Sequence, residues 1–181
     1  MKQRRAMKTF NMAKTGVYAM PESRKPPDWV YTGRRPGTDR EYFENMTRCI
    51  FQGGLNWRMI ANKWPSFMEA FDGFDVDKVA DYGVDDIARL IEDEGIIRNR
   101  QKIMATIENA EEFRRIASEH GSFQRWLDGV DKGGNYSFVA KRLKSRFKWV
   151  GVSTAHIFLW SVGEPIEYEP DLHRRRPKEV V

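Results

Sequence analysis

Hydrophobic residues recur along this chain every three or four positions rather than in alternation, a spacing that puts them on one face of a helix. Tyr42, Phe43, Met46 and Ile50 form the first stripe, opened by Thr38-Asp39 and closed by Gly53-Gly54. Trp57, Ile60, Ala61 and Trp64 predict a second helix stopped by Pro65, and Phe67, Ala70 and Phe71 a short third. Val76, Val79 and Ala80 make a further turn after Asp75. Val84-Asp85-Asp86 starts a helix through Ile87, Leu90 and Ile91 that ends near Gly95. The longest candidate spans residues 99–118, striped by Ile103, Ile107, Ala110 and Phe113. Ser122 caps a short helix through Trp126 and Leu127. Ser137 to Phe147 reads as a basic helix, and Val152 to Val162 as an apolar one stopped by Gly163. Neither a strand-like alternation nor an internal repeat of roughly 20–50 residues is present. The expected fold is all-α: many short helices in one compact unit over residues 27–181, behind a flexible tail at 1–26.

Composition adds limits. A chain of 181 residues and 21.2 kDa suits one domain with a tail. Its apolar runs are only a few residues long, so no membrane partner is expected. One cysteine, Cys49, cannot form an internal disulfide. The net charge of +5 is unevenly spread. Residues 1–26 hold seven Lys/Arg against one Glu, residues 27–140 fifteen against twenty acids, and residues 141–181 nine against five. A polyanionic partner should therefore meet the ends. The acid-free start lacks the apolar stretch of a secretory signal. It reads as a disordered or DNA-contacting arm of a cytoplasmic, nucleoid-associated protein; an organellar targeting segment has the same composition.

Candidate chemistry concentrates late in the chain. Lys148-Trp149-Val150-Gly151-Val152-Ser153-Thr154-Ala155 spells a helix end, a glycine-bearing turn and a new helix. The first amides of such a helix lack intrahelical partners and make an anion site. Gly151 allows close approach of a phosphate. The preceding helix supplies Lys141, Arg142, Lys144, Arg146 and Lys148 as a backbone clamp for DNA. A solvated basic face beside an ordinary turn has the same pattern.

The run WVGVSTAHIFLWSVGEPIEYEPDLHRR resembles the helix-hairpin-helix of the endonuclease III superfamily of DNA glycosylases, in which a D-x-H segment follows the hairpin. A second set of motifs resembles one branch, the 3-methyladenine DNA glycosylase I family. These are Phe51-Gln52-Gly53-Gly54-Leu55-Asn56-Trp57, the run from Ala70 to Ala80, Gly95-Ile96-Ile97-Arg98-Asn99-Arg100-Gln101-Lys102-Ile103 with Asn109-Ala110, and Phe147-Lys148-Trp149-Val150-Gly151. The match covers roughly residues 36–163, and its parts stand in the family's order. It implies a monofunctional, monomeric hydrolase of base excision repair. Such an enzyme frees an alkylated purine, such as 3-methyladenine, from damaged double-stranded DNA.

The resemblance implies site residues, and the chain departs from some. Asp171 falls where the superfamily carries its catalytic carboxylate, which opposes the sugar cation and orients water; it also suits the cap of a helix over Leu172-His173-Arg174. Ser153 stands where bifunctional relatives carry a nucleophilic lysine, so no Schiff base is expected. Gly151, Val152 and Ser153, with Lys144, Arg146 and Lys148, are the expected backbone contacts. Trp57 reads as a stacking platform for an everted base or as core packing with Trp64. Gln52 reads as a pocket amide or a core-facing one, and Tyr31 as the opposite wall. Cys49 occupies the position of the family's base-reading Glu, and a thiol does not accept hydrogen bonds as a carboxylate does. The family's structural zinc needs Cys and His near both ends, whereas His120, His156 and His173 are widely spaced. No metal or redox cofactor is expected. Losing the Glu also fits a non-catalytic DNA-binding module, or a glycosylase for another lesion.

Overall fold

A computed structural model of the protein describes residues 35–167; the segment 1–26, its boundary, Tyr31 and Asp171 lie outside them. Among the described residues eight α-helices and one 3-10 turn follow one another with no strand. The first helix, α1 (Asp39–Gln52), starts at a reciprocal cap in which the Glu41 amide donates to Thr38 Oγ1 (3.3 Å) and the Thr38 amide donates to Glu41 Oε2 (3.2 Å). Next, α2 spans Trp57–Ala70, opened by Asn56, whose side chain accepts from the Arg58 and Met59 amides. The predicted break at Pro65 does not occur: the second and third expected helices are one, with Pro65 inside. An interior proline costs about 3 kcal/mol or more. Trp64 and Phe67, on either side of it, offset that cost by burying their rings and stacking (5.0 Å, 17°), and Trp64 stacks again on Phe74 (5.3 Å, 8°).

A 3-10 turn at Asp72–Phe74 leads into α3 (Val76–Ala80) and α4 (Val84–Glu92). The long helix α5 (Arg100–His120) ends at Gly121 in a left-handed conformation (φ 83°), which glycine adopts without a Cβ penalty. It is followed by α6 (Phe123–Gly129), capped by Ser122 as expected, and by α7 (Gly133–Arg146). In α7 the opening residues Gly134, Asn135 and Tyr136 are left-handed, and regular helix begins at Ser137, where the basic helix was placed. The last helix is α8 (Val152–Ser161). Helix α5 is the axis of the array and packs against α1, α3, α4 and α6; α8 packs against α1 and α7.

Two aromatic clusters fill the core. Trp64, Phe67, Phe71 and Phe74 stack under α2, while Phe113, Phe123, Trp126 and Phe147 meet where α5, α6 and the end of α7 converge. Phe43 bridges them, 5.9 Å from Phe74 and 5.5 Å from Phe113. The turn after α8 is tied down by a buried carboxylate. Glu164 accepts from Tyr136 Oη (2.8 Å) and Lys132 Nζ (2.9 Å), and Arg35 lies 3.3 Å away while also pairing with Asp128 and donating to Tyr42 Oη (3.2 Å). Burial and the Glu164 carboxylate both raise the Tyr136 pKa, so the phenol stays a donor. Phe113 touches Phe43, Phe123 and Phe147 with no solvent exposure, so Phe113→Ala should cost about 3–5 kcal/mol in urea unfolding. A loss under about 1 kcal/mol would show that this cluster does not hold the array together.

Candidate nucleic-acid interface and base site

The segment between α7 and α8 is a tight hairpin. Phe147 is extended and buried, Trp149 is left-handed (φ 59°), Val150 is buried, and Gly151 opens α8. Asn109 of α5, itself buried, holds the turn in place: its Nδ2 donates to the Lys148 carbonyl (3.1 Å) and its Oδ1 accepts from the Lys148 amide (2.7 Å). A non-glycine residue in the left-handed region costs on the order of 1–3 kcal/mol. The clamp at Lys148 and the buried side chains of Phe147 and Val150 hold Trp149 there.

Helix α8 begins without a side-chain cap, and its first internal bond runs from the Ala155 amide to the Gly151 carbonyl (2.8 Å). The amides of Val152, Ser153 and Thr154 therefore have no acceptor within the helix, and the dipole adds positive potential there. Gly151 has φ −75° and ψ 172°, which any residue adopts, and a Cβ built on it would meet nothing within 4 Å. Neither backbone strain nor crowding inside the protein requires glycine here.

The cations of α7 divide into two groups. Lys144 is exposed, and Lys148 is exposed with only a loose contact to Glu108 (3.6 Å), a surface pair of little worth. Arg146 corrects the expectation made for it. It pairs with the buried carboxylate of Glu112 and with Glu119 (3.2 Å), its guanidinium lies 5.7 Å from the Trp126 ring, and it fastens α7 to α5. A buried carboxylate needs a cation, and Arg146 supplies it. Lys141 lies over the exposed Phe138 ring (5.5 Å).

The base-site candidates gather on the second half of α1 and the start of α2. Cys49 is buried, its Sγ 3.9 Å from Ser161 Oγ of α8. Gln52 is buried at the C-terminal end of α1. Trp57 is only half-buried on the first turn of α2 and stands apart from the core that contains Trp64. It is not among the side chains packed against that core. His156 is buried on α8. Among the described residues no group of three or more His, Cys, Asp or Glu converges as for a metal, and no helix is long and apolar enough to cross a membrane.

Two residues of α5 escaped the sequence reading as site residues. Asn109 registers the hairpin, and Lys102, buried one face-repeat earlier, donates to the carbonyls of Phe51 (3.3 Å) and Gly53 (2.8 Å). Together with the buried Thr106 they form a polar stripe at helical spacing beside the apolar one, a pattern visible in the sequence.

By its fold and its bare-ended hairpin, this is an all-α helix-hairpin-helix protein. Residues 29–146 match the family described as methyladenine glycosylase. The chain is 31% identical over 148 residues to DNA-3-methyladenine glycosylase 1 of Escherichia coli (strain K12), covering 71% of this chain and 79% of that one. It is 28% identical to DNA-3-methyladenine glycosylase of Haemophilus influenzae, over 72% and 80% of the two chains. Among solved structures, a crystal structure of 3-methyladenine DNA glycosylase I superposes with a TM-score of 0.64 at 27% identity, covering 73% and 82%. A variant of 3-methyladenine DNA glycosylase I in complex with 3-methyladenine superposes at 0.67 and 25%, covering 76% and 84%. The chain belongs to the methyladenine glycosylase family.

The division of α7 gives an expected contrast. Lys144→Ala should weaken binding to any duplex alike and flatten the dependence of log K on log salt by up to about 0.9 per lost phosphate contact. Arg146→Ala should leave that slope unchanged and lower the melting temperature. Gly151→Ala should weaken binding without moving the melting temperature. Titrations at several salt concentrations, paired with thermal melts, check all three.

Proposed function

We propose that this protein is a monofunctional DNA glycosylase of base excision repair that hydrolyses the N-glycosidic bond of an alkylated purine, such as 3-methyladenine, in duplex DNA. The carrying observation is the registration of the bare-ended hairpin, through Asn109, on the same helix whose Lys102 holds the end of α1, where Cys49 and Gln52 lie. The hairpin amides from Val152 onward, with Lys144 and Lys148, hold the backbone of the damaged strand. The lesion leaves the stack and enters beside Trp57, with Gln52 and Cys49 behind it; Tyr31 is a further candidate for the pocket wall. Eversion costs a few kcal/mol, least at a damaged pair.

An N3-alkylated purine is cationic and a good leaving group. As its bond to C1′ breaks, positive charge grows on the sugar, and the Asp171 carboxylate opposes it and orients the attacking water. Ser153 has no amine, so the products are a free base and an abasic site, with no covalent enzyme–DNA adduct. The chemistry draws on no metal or redox cofactor. One copy of the chain suffices, acting on the DNA of the cytoplasm.

One observation favours a second reading within the same class. Cys49 presents a buried thiol against the Ser161 hydroxyl, where a carboxylate would read the base through its N–H donors. A less polar wall suits a lesion recognised by shape and stacking.

The test is single-turnover release of base from duplexes carrying alkylated, deaminated or oxidised lesions. Wild type should release an alkylated purine. Asp171→Asn should slow release by roughly two orders of magnitude with lesion binding nearly intact. Trp57→Ala should lose about 1–3 kcal/mol of preference for the damaged duplex, and borohydride should trap nothing. Release from none of these substrates, with DNA binding retained, would make the protein a binding module instead.

A further inference from the structure

Among the described residues one lysine is buried. Lys102, on the first turn of α5, is 3% exposed. Its ammonium meets carbonyls and rings: Gly53 O at 2.8 Å, Phe51 O at 3.3 Å, and the centroids of Phe51 and Trp149 at 5.7 and 5.6 Å. Burial holds its pKa below the ordinary lysine value. A desolvated charge is expensive to keep, and this one sits between two parts of the molecule that have no other reason to share a residue.

The first part is the connection from α1 to α2. Its carbonyls at Phe51 and Gly53 end a helix with no basic residue in its last turn. Lys102 supplies the missing cation from another helix. The connection contains Gly53-Gly54, a pair that is entropically costly to order, and it separates Gln52 from Trp57 by only four residues. Its conformation therefore sets the distance between the two sides of the base site. The second part is Trp149, left-handed at the tip of the hairpin and 49% exposed. One side of this indole faces the ammonium, and much of the remainder faces solvent.

We propose that Lys102 is a positioning residue that couples the hairpin to the base site, so that seating the hairpin on DNA and ordering the Gln52–Trp57 connection are one event. This rests on the glycosylase reading. Attraction between a cation and an aromatic face strengthens as water leaves it. DNA lying on the hairpin covers the exposed side of Trp149, tightens the ring onto the ammonium, and thereby tightens the ammonium onto the carbonyls of the connection. Lys102 touches neither the base nor the sugar; it acts through the loop it holds.

The experiment uses the full chain and two readouts: the saturating single-turnover rate of base release, and the ratio of Kd for an undamaged duplex to Kd for the same duplex carrying a stable tetrahydrofuran abasic analogue. Lys102→Met should leave the undamaged-duplex Kd within about twofold, lower the ratio at least about fivefold and cut the saturating rate at least about tenfold. Lys102→Arg should recover most of both. Trp149→Ala should act in the same direction, and Lys102→Met/Trp149→Ala should be no worse than the poorer single variant within about twofold, because the two side chains form one link. Multiplicative effects, or a Lys102→Met variant that weakens both duplexes equally at full saturating rate, would overturn the proposal. If Lys102→Met fails to fold, Trp149→Ala and Trp149→Phe decide: loss of the ratio by the first and its return in the second support the link, and an unchanged ratio in the first removes it. A wild type that releases no base sinks the glycosylase reading alone, since the Kd ratio still reports on Lys102. A wild type that binds both duplexes equally sinks the coupling.

Discussion

The hairpin keeps its place because of a single side-chain amide. Asn109 offers one donor and one acceptor to the backbone of Lys148, and both are used. Aspartate lacks the donor, and an apolar residue would leave two partly buried backbone groups without this partner. With Lys148 fixed, Phe147 and Val150 enter the core on either side, Trp149 turns outward, and α8 leaves the turn at Gly151. Seven residues earlier, on the same face of α5, Lys102 does for α1 what Asn109 does for the hairpin. A single helix thus carries both attachments, and the spacing between the hairpin and the end of α1 is set by helical rise rather than by a flexible connection.

Most helices were legible from the stripes, because burying one face is what these helices do. Thr38 and Ser122 announced two starts, and Gly163 falls just past the end of α8. Pro65 misled for a physical reason: the backbone cost of proline is local and visible, while the aromatic stack that offsets it includes Phe74, contributed by a turn beyond the helix. Arg146 misled in the same way, since its partner Glu112 stands 34 positions away while its neighbours Lys144 and Lys148 are exposed. The thiol of Cys49 could be read as buried, but not as facing Ser161, 112 positions on. Lys102 and Asn109 were hidden by a habit of reading polar residues on helices as solvated. Their spacing with Thr106 was the available sign that they face inward.

Basic residues divide between internal carboxylates and the surface. Four arginines serve internal carboxylates: Arg115 and Arg146 share Glu112, and Arg40 and Arg48 share Glu44, which also accepts from the Trp64 indole, while Lys132 serves Glu164. The guanidinium fork suits such fixed, directional partners. Lysines remain at the hairpin, where a mobile, hydrated point charge suits a phosphate backbone whose sequence need not be read. Net charge alone would have counted both kinds equally.

The polar knot around Glu164 has a topological consequence. Arg35 stands at the start of the described residues and Glu164 near their end, and Asp128, which shares Arg35, is 93 positions from it. Closing a loop of that length costs about 4 kcal/mol in chain entropy, recovered only when its partners are already in place. Pairings closer in sequence, such as that of α3 with α5, cost about 1 kcal/mol less in closure and can precede it. The knot is thus suited to be among the last contacts made, and α1 and α8, whose facing surfaces hold Cys49 and Ser161, are drawn together by the same closure. The Cys49 surface of α1 is thus covered only once α8 has closed on it.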